Sequence, residues 1–345
     1  MVVTGHTGFK GSWLTQWLLI LGAKVIGISK NVPSKPSHFD CINLKKKIIH
    51  KQFDIKNLEL LKKVIFKYKP DFIFHLAGQS IVKKSFSDPI DTWQTNTIGT
   101  LNLLESLRSF KKKCSVVLIT SDKSYKNLEI KRGYKENDLL GGYDPYSASK
   151  GGAELVIQSY IKSFFSMKKT QILISVARAG NVIGGGDWSD SRLIPDCVKS
   201  WSINKKVVIR SPKATRPWQH VLEAVYGYLL LASRLEKNKN FHGQAFNFGP
   251  KPKKNYSVIQ VVKTMKKHWD KVSWKTKSKK QNSFYESTLL KLNSNKAKKL
   301  IKWECVLSYE DTIGLVSQWY KSFYTNPNQI HLTTIQQIKN YSKLI

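Results

Sequence analysis

The chain begins with Met1-Val2-Val3-Thr4-Gly5-His6-Thr7-Gly8-Phe9-Lys10-Gly11. The apolar residues 1–3 predict a buried strand, and the apolar, tryptophan-rich residues 12–21 predict a helix. Glycines at every third position allow a tight turn, a close approach of the backbone to a pyrophosphate, and close packing of the helix against the strand. The helix N-terminus then faces the phosphates. This stretch therefore predicts a dinucleotide-binding strand–turn–helix unit.

Further apolar segments alternate with helical patterns along the first half of the chain. Strands are predicted within residues 24–29, 71–78, 115–120 and 171–178. Such alternation favours an α/β fold with a doubly wound Rossmann-type parallel sheet. We expect this cofactor domain to span residues 1–178, with a later contribution from about 207–235. A smaller, discontinuous C-terminal substrate lobe is expected from 179–206 and 236–325, followed by a polar tail, 326–345.

The end of the second predicted strand bears on the choice of cofactor. NAD-specific folds often carry an acidic residue there, which bonds the adenosine ribose. This chain has Ser29, Lys30 and Asn31 instead. Lys30 could accept a 2′-phosphate, so the choice between NAD and NADP is open at this point. Asp54 is placed either to meet the adenine edge or to cap the next helix.

Tyr146 and Lys150 are four residues apart in a predicted helix that begins at Pro145. Proline suits the first turn of a helix, and positions i and i+4 share a helix face. A nearby ammonium favours phenolate, so we expect Lys150 to lower the pKa of Tyr146. The phenolate could then take a proton from a sugar hydroxyl. Taken alone, the pair also fits an ordinary helix start with a surface tyrosine.

Two predicted strands end in residues that suit a ligand site. Small residues, Leu76-Ala77-Gly78, follow one strand and leave room for a cofactor, while Asn96 opens the next helix. Ser121-Asp122-Lys123 follow another strand. Ligands of open α/β sheets bind outside the carboxyl ends of strands. These three polar side chains are therefore candidates for chemistry, the alternative being a polar turn.

Charge alone raises the possibility of nucleic-acid binding, because the formal net charge is +35. Of the 58 basic residues, however, only seven are arginine. Base readout and phosphate clamping rely strongly on arginine, and the lysines here are spread along the whole chain. We therefore expect a solvated lysine surface and no nucleic-acid partner.

Neither a membrane span nor a secretory signal is expected. The sequence has no apolar run of about 18 residues, and Gly5, His6 and Lys10 interrupt the N-terminus. Four cysteines lie far apart without metal-ligand spacing, at positions 41, 114, 197 and 305. This usage is typical of a reducing cytoplasm and indicates neither a disulfide framework nor a metal site.

These stretches together resemble the extended short-chain dehydrogenase/reductases, and among them the CDP-glucose 4,6-dehydratase family. The resemblance covers roughly residues 1–325. It is carried by residues 5–13, 120–123, 141–150, 178–188, 214–221 and 247–250. It implies NAD as cofactor, a CDP-sugar as substrate, and the conversion of CDP-glucose to CDP-4-keto-6-deoxyglucose.

The resemblance also implies roles for individual residues. Tyr146 takes the 4-hydroxyl proton, Lys150 holds the nicotinamide ribose, and Ser121 bonds the 4-oxygen. Asp122 is the acid for the 6-hydroxyl, and Lys123 is the candidate base at C5, where related dehydratases carry Glu. The implied nucleotide contacts are Asn181, Arg192, Arg216 and Glu286. The implied cofactor contacts are Gly5, Thr7, Gly8, Phe9, Lys10, Gly11, Ser29, Asp54, Ile55, Leu76, Ala77, Gly78, Asn96, Tyr146 and Lys150.

Two alternatives and one partner complete the interpretation. A 4,6-dehydratase for another nucleotide-sugar remains open, and so does a 4-epimerase, although an epimerase has no use for Asp122. The apolar helix face formed by Ala153, Val156, Ile157 and Tyr160 predicts a homodimer, unless this face is buried within one subunit.

Overall fold

The computed structural model describes residues 1–166, 170–250, 256–276 and 290–345. The strands are β1 (Val2–Thr4), β2 (Ile26–Ser29), β3 (Ile49–Gln52), β4 (Phe72–His75), β5 (Cys114–Ile119), β6 (Ile172–Ala179), β7 (Val182–Ile183), β8 (Val207–Ile209), β9 (Thr215–Arg216), β10 (Gln219–His220), β11 (Ala245–Phe248), β12 (Tyr256–Ser257) and β13 (Trp274–Thr276).

Helices cover both faces of the sheet. They are α1 (Phe9–Ile20), α2 (His38–Cys41), α3 (Leu58–Tyr68), α4 (Val82–Ser87), α5 (Pro89–Trp93), α6 (Gly99–Leu107), α7 (Pro145–Ser163), α8 (Leu193–Ser202), α9 (Val221–Lys237), α10 (Val258–Lys266), α11 (Asn295–Ile301), α12 (Tyr309–Thr325) and α13 (Ile330–Ser342). A π-helical turn, Gln94–Ile98, joins α5 to α6.

Seven parallel strands form the central sheet in the order β11-β6-β5-β4-β1-β2-β3. The chain starts at β1, winds outward to β3, and then returns to β4 on the other side of β1. Strand order therefore reverses between β1 and β4, where α/β folds bind their ligands. The predicted doubly wound parallel sheet is confirmed.

The inner strands of the sheet are buried on both faces, as near-continuous apolar runs predict. All of the residues in β1, β5 and β6 are buried. One apolar layer includes Leu61, Leu103 and Ile157, and the other includes Trp13 and Leu222. The carboxyl ends of these strands thus emerge from a well-packed core.

One predicted domain range differs from the structure. Residues 236–325 were expected to lie wholly in the substrate lobe, yet β11 pairs with β6 at the edge of the central sheet. Its residues Phe246 and Phe248 are fully buried, which explains why this strand joins the main core. Helix α9 packs against β5 and β6. The division into two lobes otherwise remains a prediction.

The C-terminal segment is not the polar tail that we expected. Its helix α13 packs against α12 and α1, with Ile330, Ile338 and Tyr341 buried. These apolar positions fall on one helix face, although the composition of the segment is polar. Tyr341 Oη donates a hydrogen bond to Glu223 Oε2 (2.7 Å), and Trp319 Nε1 donates to Thr334 Oγ1 (2.9 Å). The segment is therefore an integral part of the core.

Across the four described ranges, every helix is too short or too polar to cross a membrane.

Candidate active site

The glycine turn between β1 and α1 has the geometry that its spacing predicts. Gly5 has a φ of +73°, and a Cβ there would lie 2.6 Å from the backbone nitrogen of Ala77. A Cβ on Gly11 would lie 2.1 Å from the Gly5 carbonyl oxygen. Glycine is thus required at Gly5 for the turn and at Gly11 for the close packing of α1.

The same turn fits a dinucleotide phosphate. Gly8 is the N-cap of α1, and it provides no side chain to satisfy the first N–H groups of that helix. The N-terminal turn therefore keeps its backbone donors and its partial positive charge for an anion. Thr7 Oγ1 is directed away from it, donating to the Asn31 carbonyl (2.7 Å).

The end of β2 is organised by two histidines. Ser29 Oγ is buried and lies 3.0 Å from His6 Nδ1, and the Thr7 N–H donates to it at 3.4 Å. His6 Nε2 lies 2.8 Å from His50 Nδ1. Burial lowers the pKa of His6 to about 4, so the ring is neutral at physiological pH. The Ser29 hydroxyl is thus already engaged inside the protein.

Asp54 lies in a small cluster of charges at the surface. Its carboxylate lies 3.2 Å from Lys30 Nζ and 3.6 Å from Lys56 Nζ, and it accepts the Lys56 N–H. The alternative of a helix cap is wrong, because Asn57 caps α3 by accepting the Leu60 N–H (3.0 Å). Ile55 is buried beside Gly99.

Asn96 fixes the loop that follows β4. Its Oδ1 accepts the Gln79 N–H (2.9 Å), and its Nδ2 donates to the Gln79 carbonyl and to Ser149 Oγ. A Cβ on Gly78 would lie 2.9 Å from Asn96 Oδ1 and 3.0 Å from Lys150 Nζ. The loop and the helix that carries Lys150 are therefore tied together, and a side chain larger than glycine at Gly78 would crowd both Asn96 and the Lys150 ammonium.

Leu76 and Ala77 complete this loop. Leu76 N–H donates to the Thr4 carbonyl (3.0 Å), and Ala77 N–H donates to Thr4 Oγ1 (3.2 Å). Both residues are partly buried beside the glycine turn. Their backbone thus lies at the switch point of the sheet, as the predicted cofactor contacts require.

Helix α7 begins as predicted, with Asp144 as its N-cap and Pro145 in its first turn. The Ser147 N–H donates to Asp144 Oδ1 (3.0 Å). Tyr146 is buried and Lys150 partly so, one turn apart. The alternative of a surface tyrosine is therefore wrong.

The electrostatics of Tyr146 differ from our expectation. Burial raises the pKa of Tyr146, and the Asp122 carboxylate adds to the rise, while Ser121 and the Arg192 guanidinium oppose it. We expected Lys150 to lower this pKa, but the desolvation of the phenol dominates. Burial also lowers the pKa of Lys150 itself to about 8, against the Glu154 charge.

Ser121, Asp122 and Lys123 follow β5 and form a short 3₁₀ turn with Ser124. Ser121 Oγ donates to Asp122 Oδ1 (2.9 Å) and accepts the Lys123 N–H (3.2 Å). Burial raises the pKa of Asp122, against the charges of Lys123 and Lys10. A carboxyl group with a raised pKa is suited to donate a proton near neutral pH.

Lys10 has a second role that its position in the glycine motif did not reveal. Its Nζ lies 3.5 Å from the hydroxyl of Tyr228 on α9. Burial lowers the pKa of Lys10 to about 8, helped by Lys150 and Arg192 and opposed by Asp122. The Lys10 side chain therefore reaches towards α9, and its charge interacts with those of Lys150, Arg192 and Asp122.

Arg192 lies beside the catalytic groups as well. Its Nη1 donates to Asp187 Oδ2 (2.8 Å), and its Nη2 lies 3.4 Å from Ser80 Oγ. Its charge acts on Tyr146. Sequence reasoning missed the partner Asp187, although the motif at residues 178–188 contains it.

The other predicted nucleotide contacts are distributed over the neighbouring segments. Asn181 lies between β6 and β7, where its carbonyl accepts the Gln219 N–H (3.2 Å). Arg216 lies on β9, opposite Tyr256 of β12. Glu286 lies outside the described residues.

No cluster suited to a metal ion occurs among the side chains that the structure describes.

Comparison with known proteins identifies relatives of the whole chain. The family described as GDP-mannose 4,6 dehydratase matches residues 2–315. A CDP-glucose 4,6-dehydratase from Salmonella typhimurium is 40% identical over 98% of this chain and 95% of the relative.

Solved structures share the fold. UDP-glucuronic acid 4-epimerase from Bacillus cereus, in complex with UDP-glucuronic acid and NAD, superposes with a TM-score of 0.76 at 22% identity, covering 94% of this chain and 99% of that chain. dTDP-glucose 4,6-dehydratase from Bacillus anthracis, in complex with NAD, gives 0.75 at 22% identity, covering 93% and 96%.

Proposed function

The chain belongs to the GDP-mannose 4,6-dehydratase family, and on that premise we propose that it is an NAD-dependent CDP-glucose 4,6-dehydratase. It converts CDP-glucose to CDP-4-keto-6-deoxyglucose with the loss of one water. The observation that carries the proposal is Asp122, a buried carboxyl group with a raised pKa that acts on Tyr146 in the same cleft. The product belongs to deoxysugar synthesis of the kind that feeds lipopolysaccharide O-antigens.

The glycine turn and Lys150 would hold NAD, whose nicotinamide would supply reversible hydride transfer between C4 and C6 of the sugar. Tyr146, in its phenolate form, accepts the proton of the 4-hydroxyl, with Ser121 as hydrogen-bond partner of the 4-oxygen. Lys150 supplies a positive charge on the same helix face. The resulting 4-ketone acidifies the proton on C5.

Elimination requires an acid and a base. Asp122 protonates the departing 6-hydroxyl, so that it leaves as water, and a neutral amine removes the C5 proton. Lys123 is the candidate base by its position next to Asp122. Lys10 is a second amine near Asp122, and its pKa of about 8 leaves an appreciable neutral fraction at neutral pH.

Arginines suit the diphosphate of the substrate because their planar fork binds oxygens bidentately. We assign Arg192, Arg216 and Asn181 to the nucleotide, together with Glu286. Asp187 holds the Arg192 guanidinium in place. The CDP-sugar therefore lies between the carboxyl ends of the central strands and the segments that follow β6.

A 4-epimerase is the competing activity within the same fold. Epimerisation needs Tyr146 and Lys150 but has no leaving hydroxyl to protonate. The acid Asp122 and its neighbour Lys123 thus favour the dehydratase.

One assay tests the function. The purified protein is incubated with NAD and with CDP-, UDP-, dTDP- and GDP-linked glucose or mannose, and the products are analysed by mass. We expect the mass of one water to be lost from CDP-glucose. Loss of water from a different nucleotide-sugar would keep the dehydratase activity but change its substrate. A product of unchanged mass with an inverted configuration at C4 would establish the epimerase.

We expect NAD to be preferred to NADP, and to be held loosely. The Ser29 hydroxyl, which would contact the ribose, is already hydrogen-bonded to His6. The Lys30 ammonium, which would contact a 2′-phosphate, is already paired with Asp54. Binding of both cofactors is measured by calorimetry on the wild type, on Lys30→Ala and on the control Lys62→Ala, a lysine paired with Glu59 on α3. Equal or tighter NADP binding that Lys30→Ala abolishes would contradict this expectation.

We also propose a homodimer, but through different residues from those predicted. Ala153 and Ile157 are buried within the subunit, so they cannot form the interface. The neighbouring surface of α5, the π-helical turn and α7 instead exposes Ile90, Trp93, Ile98 and Leu155, which are 41–70% exposed. An apolar surface of this kind marks a contact site.

Sedimentation at micromolar concentration is expected to show a dimer that Leu155→Glu converts to a monomer. Leu332→Glu, at a similarly exposed leucine on α13, is the control and should leave the dimer intact. A wild-type monomer would contradict the proposal.

The cytoplasm is the proposed location. The four cysteines are all free thiols in the structure, which suits a reducing compartment.

A further inference from the structure

A buried ion pair joins elements that carry the catalytic side chains. Arg178, on β6, donates from Nε to Glu154 Oε1 (2.8 Å) and from Nη2 to Glu154 Oε2 (2.9 Å). The two side chains are 2% and 1% exposed. Glu154 lies on α7, one turn after Lys150. Buried charges are costly unless their hydrogen bonds are fully satisfied, so such a pair needs further partners.

Those partners lie at the two ends of the catalytic loop, which we define as residues 120–125. Thr120 Oγ1 donates to Glu154 Oε1 (2.6 Å), and Arg178 Nη1 donates to Tyr125 Oη (2.7 Å). Ser121, Asp122 and Lys123 lie between these two contacts. The pair thus holds both ends of the loop against the helix that carries Tyr146 and Lys150.

The hydrogen bonds continue beyond the loop. Tyr125 Oη donates to Asn247 Oδ1 (2.8 Å), and Asn247 Nδ2 donates to the Tyr134 carbonyl (2.9 Å) and the Asn293 carbonyl (3.3 Å). The catalytic loop is therefore bonded to the end of β11 and to the segment before α11.

We propose that Glu154 and Arg178 are positioning residues that hold the catalytic loop in register with Tyr146 and Lys150, and so commit the oxidised sugar to loss of water. This inference rests on the proposed dehydratase function. Tyr146 and Lys150 are fixed by their helix, whereas Asp122 and Lys123 lie on a turn whose place depends on these bonds. A displacement of about 1 Å at a reacting group can cost about 100-fold in rate.

Two mild variants test the inference without breaking the ion pair. Thr120→Val and Tyr125→Phe each remove one hydroxyl contact between the pair and the loop. We expect the released 4-keto hexose that keeps its 6-hydroxyl to rise about tenfold or more relative to the 4-keto-6-deoxy product. The KM for the sugar should stay unchanged.

The control is Tyr341→Phe, which removes the bond between another buried tyrosine and a buried glutamate, Glu223. It should keep the wild-type product ratio. A purely structural role of the pair would reduce the folded fraction and slow both steps equally. An unchanged product ratio in both mild variants would overturn the inference.

A further variant, Glu154→Gln, tests the effect of the Glu154 charge directly. Burial lowers the pKa of Lys150 to about 8, and the Glu154 charge opposes this. In Glu154→Gln the pKa of Lys150 should fall further, so the alkaline limb of the pH profile for C4 oxidation should move to lower pH. An alkaline limb at the wild-type pH would argue against an effect of the Glu154 charge on the pKa of Lys150.

Hydrogen exchange distinguishes failure of the inference from failure of the proposed function. Backbone amides of residues 121–125 should exchange faster in Thr120→Val and Tyr125→Phe than in Tyr341→Phe, in the absence of any sugar. If the wild type dehydrated no sugar, the proposed function would fail, and this measurement would still decide the positioning role. Equal exchange in all three variants would overturn it.

Discussion

The Tyr146→Phe variant is expected to lose the oxidation at C4 and everything that follows it. Phenylalanine keeps the buried ring but has no oxygen to accept the proton of the 4-hydroxyl. The loss of a positioned base lowers the rate of the step by about 10²–10⁴-fold. In a single turnover with excess enzyme, neither a 4-keto hexose nor a 4-keto-6-deoxy product should form at the wild-type rate, as measured by mass after quenching.

The matched control is Tyr143→Phe, at a tyrosine three residues earlier that is 73% exposed. It should keep wild-type turnover, and both variants should keep the wild-type melting temperature. Formation of the 4-keto hexose by Tyr146→Phe at an undiminished rate would remove Tyr146 from its role while leaving the fold unaffected.

Asp122→Asn is expected to separate oxidation from dehydration. The amide has nearly the same size but no proton of comparable acidity to give to the 6-hydroxyl. Oxidation at C4 should survive while elimination slows by about 10²–10⁴-fold. A 4-keto hexose that retains its 6-hydroxyl should therefore accumulate in a single turnover. Turnover of Asp122→Asn at the wild-type rate would show that another group provides the proton.

The pH dependence of elimination follows from the same carboxyl group. Because burial raises the pKa of Asp122, the acid stays protonated to a higher pH than an exposed aspartate. Elimination should be fully supported below this raised pKa and should decline as the pH rises through it. Asp190→Asn, at an exposed carboxylate paired with Lys199, should leave this profile unchanged.

The base at C5 is tested by two lysine variants. Lys123→Met should block elimination, and it should also stop solvent deuterium from entering C5, if Lys123 removes that proton. If Lys10 is the base, Lys10→Met should instead block elimination and stop the entry of solvent deuterium. Deuterium incorporation that survives in both variants would exclude both amines.

The main sheet could be predicted because its signals are local. Gly5 and Gly11 mark the turn, and buried parallel strands read as continuous apolar runs. The packing of helix α13 could not be predicted from composition, since the segment is polar overall and Ile330, Ile338 and Tyr341 are buried only by contacts with distant parts of the chain. β11 was missed because Ala245–Phe248 is short, and its partner β6 lies far away in sequence.

The candidate site was predictable where chemistry follows strand ends or helical spacing, as for Ser121, Asp122, Tyr146 and Lys150. The direction of the pKa shift of Tyr146 could not be predicted, because desolvation of the phenol depends on tertiary packing. Glu154 was missed although it stands four residues after Lys150, at a spacing that could have suggested a carboxylate on the same helix face. The contact between Lys10 and Tyr228 on α9 had no sequence signal beyond the place of Lys10 in a glycine motif.

The burial of α13 against α1 sets an order of events during synthesis. The ribosome makes α1 well before α13, yet Trp17 of α1 packs edge-on against Tyr341, which is made more than 300 residues later. Domains fold as units, and surface that awaits late partners is prone to aggregation. The nascent chain must therefore carry an incomplete cofactor half until α13 leaves the exit tunnel. Holdase chaperones are expected to bind the tryptophan-rich face of α1 during that interval, and to bind it longer on chains that stop before residue 330.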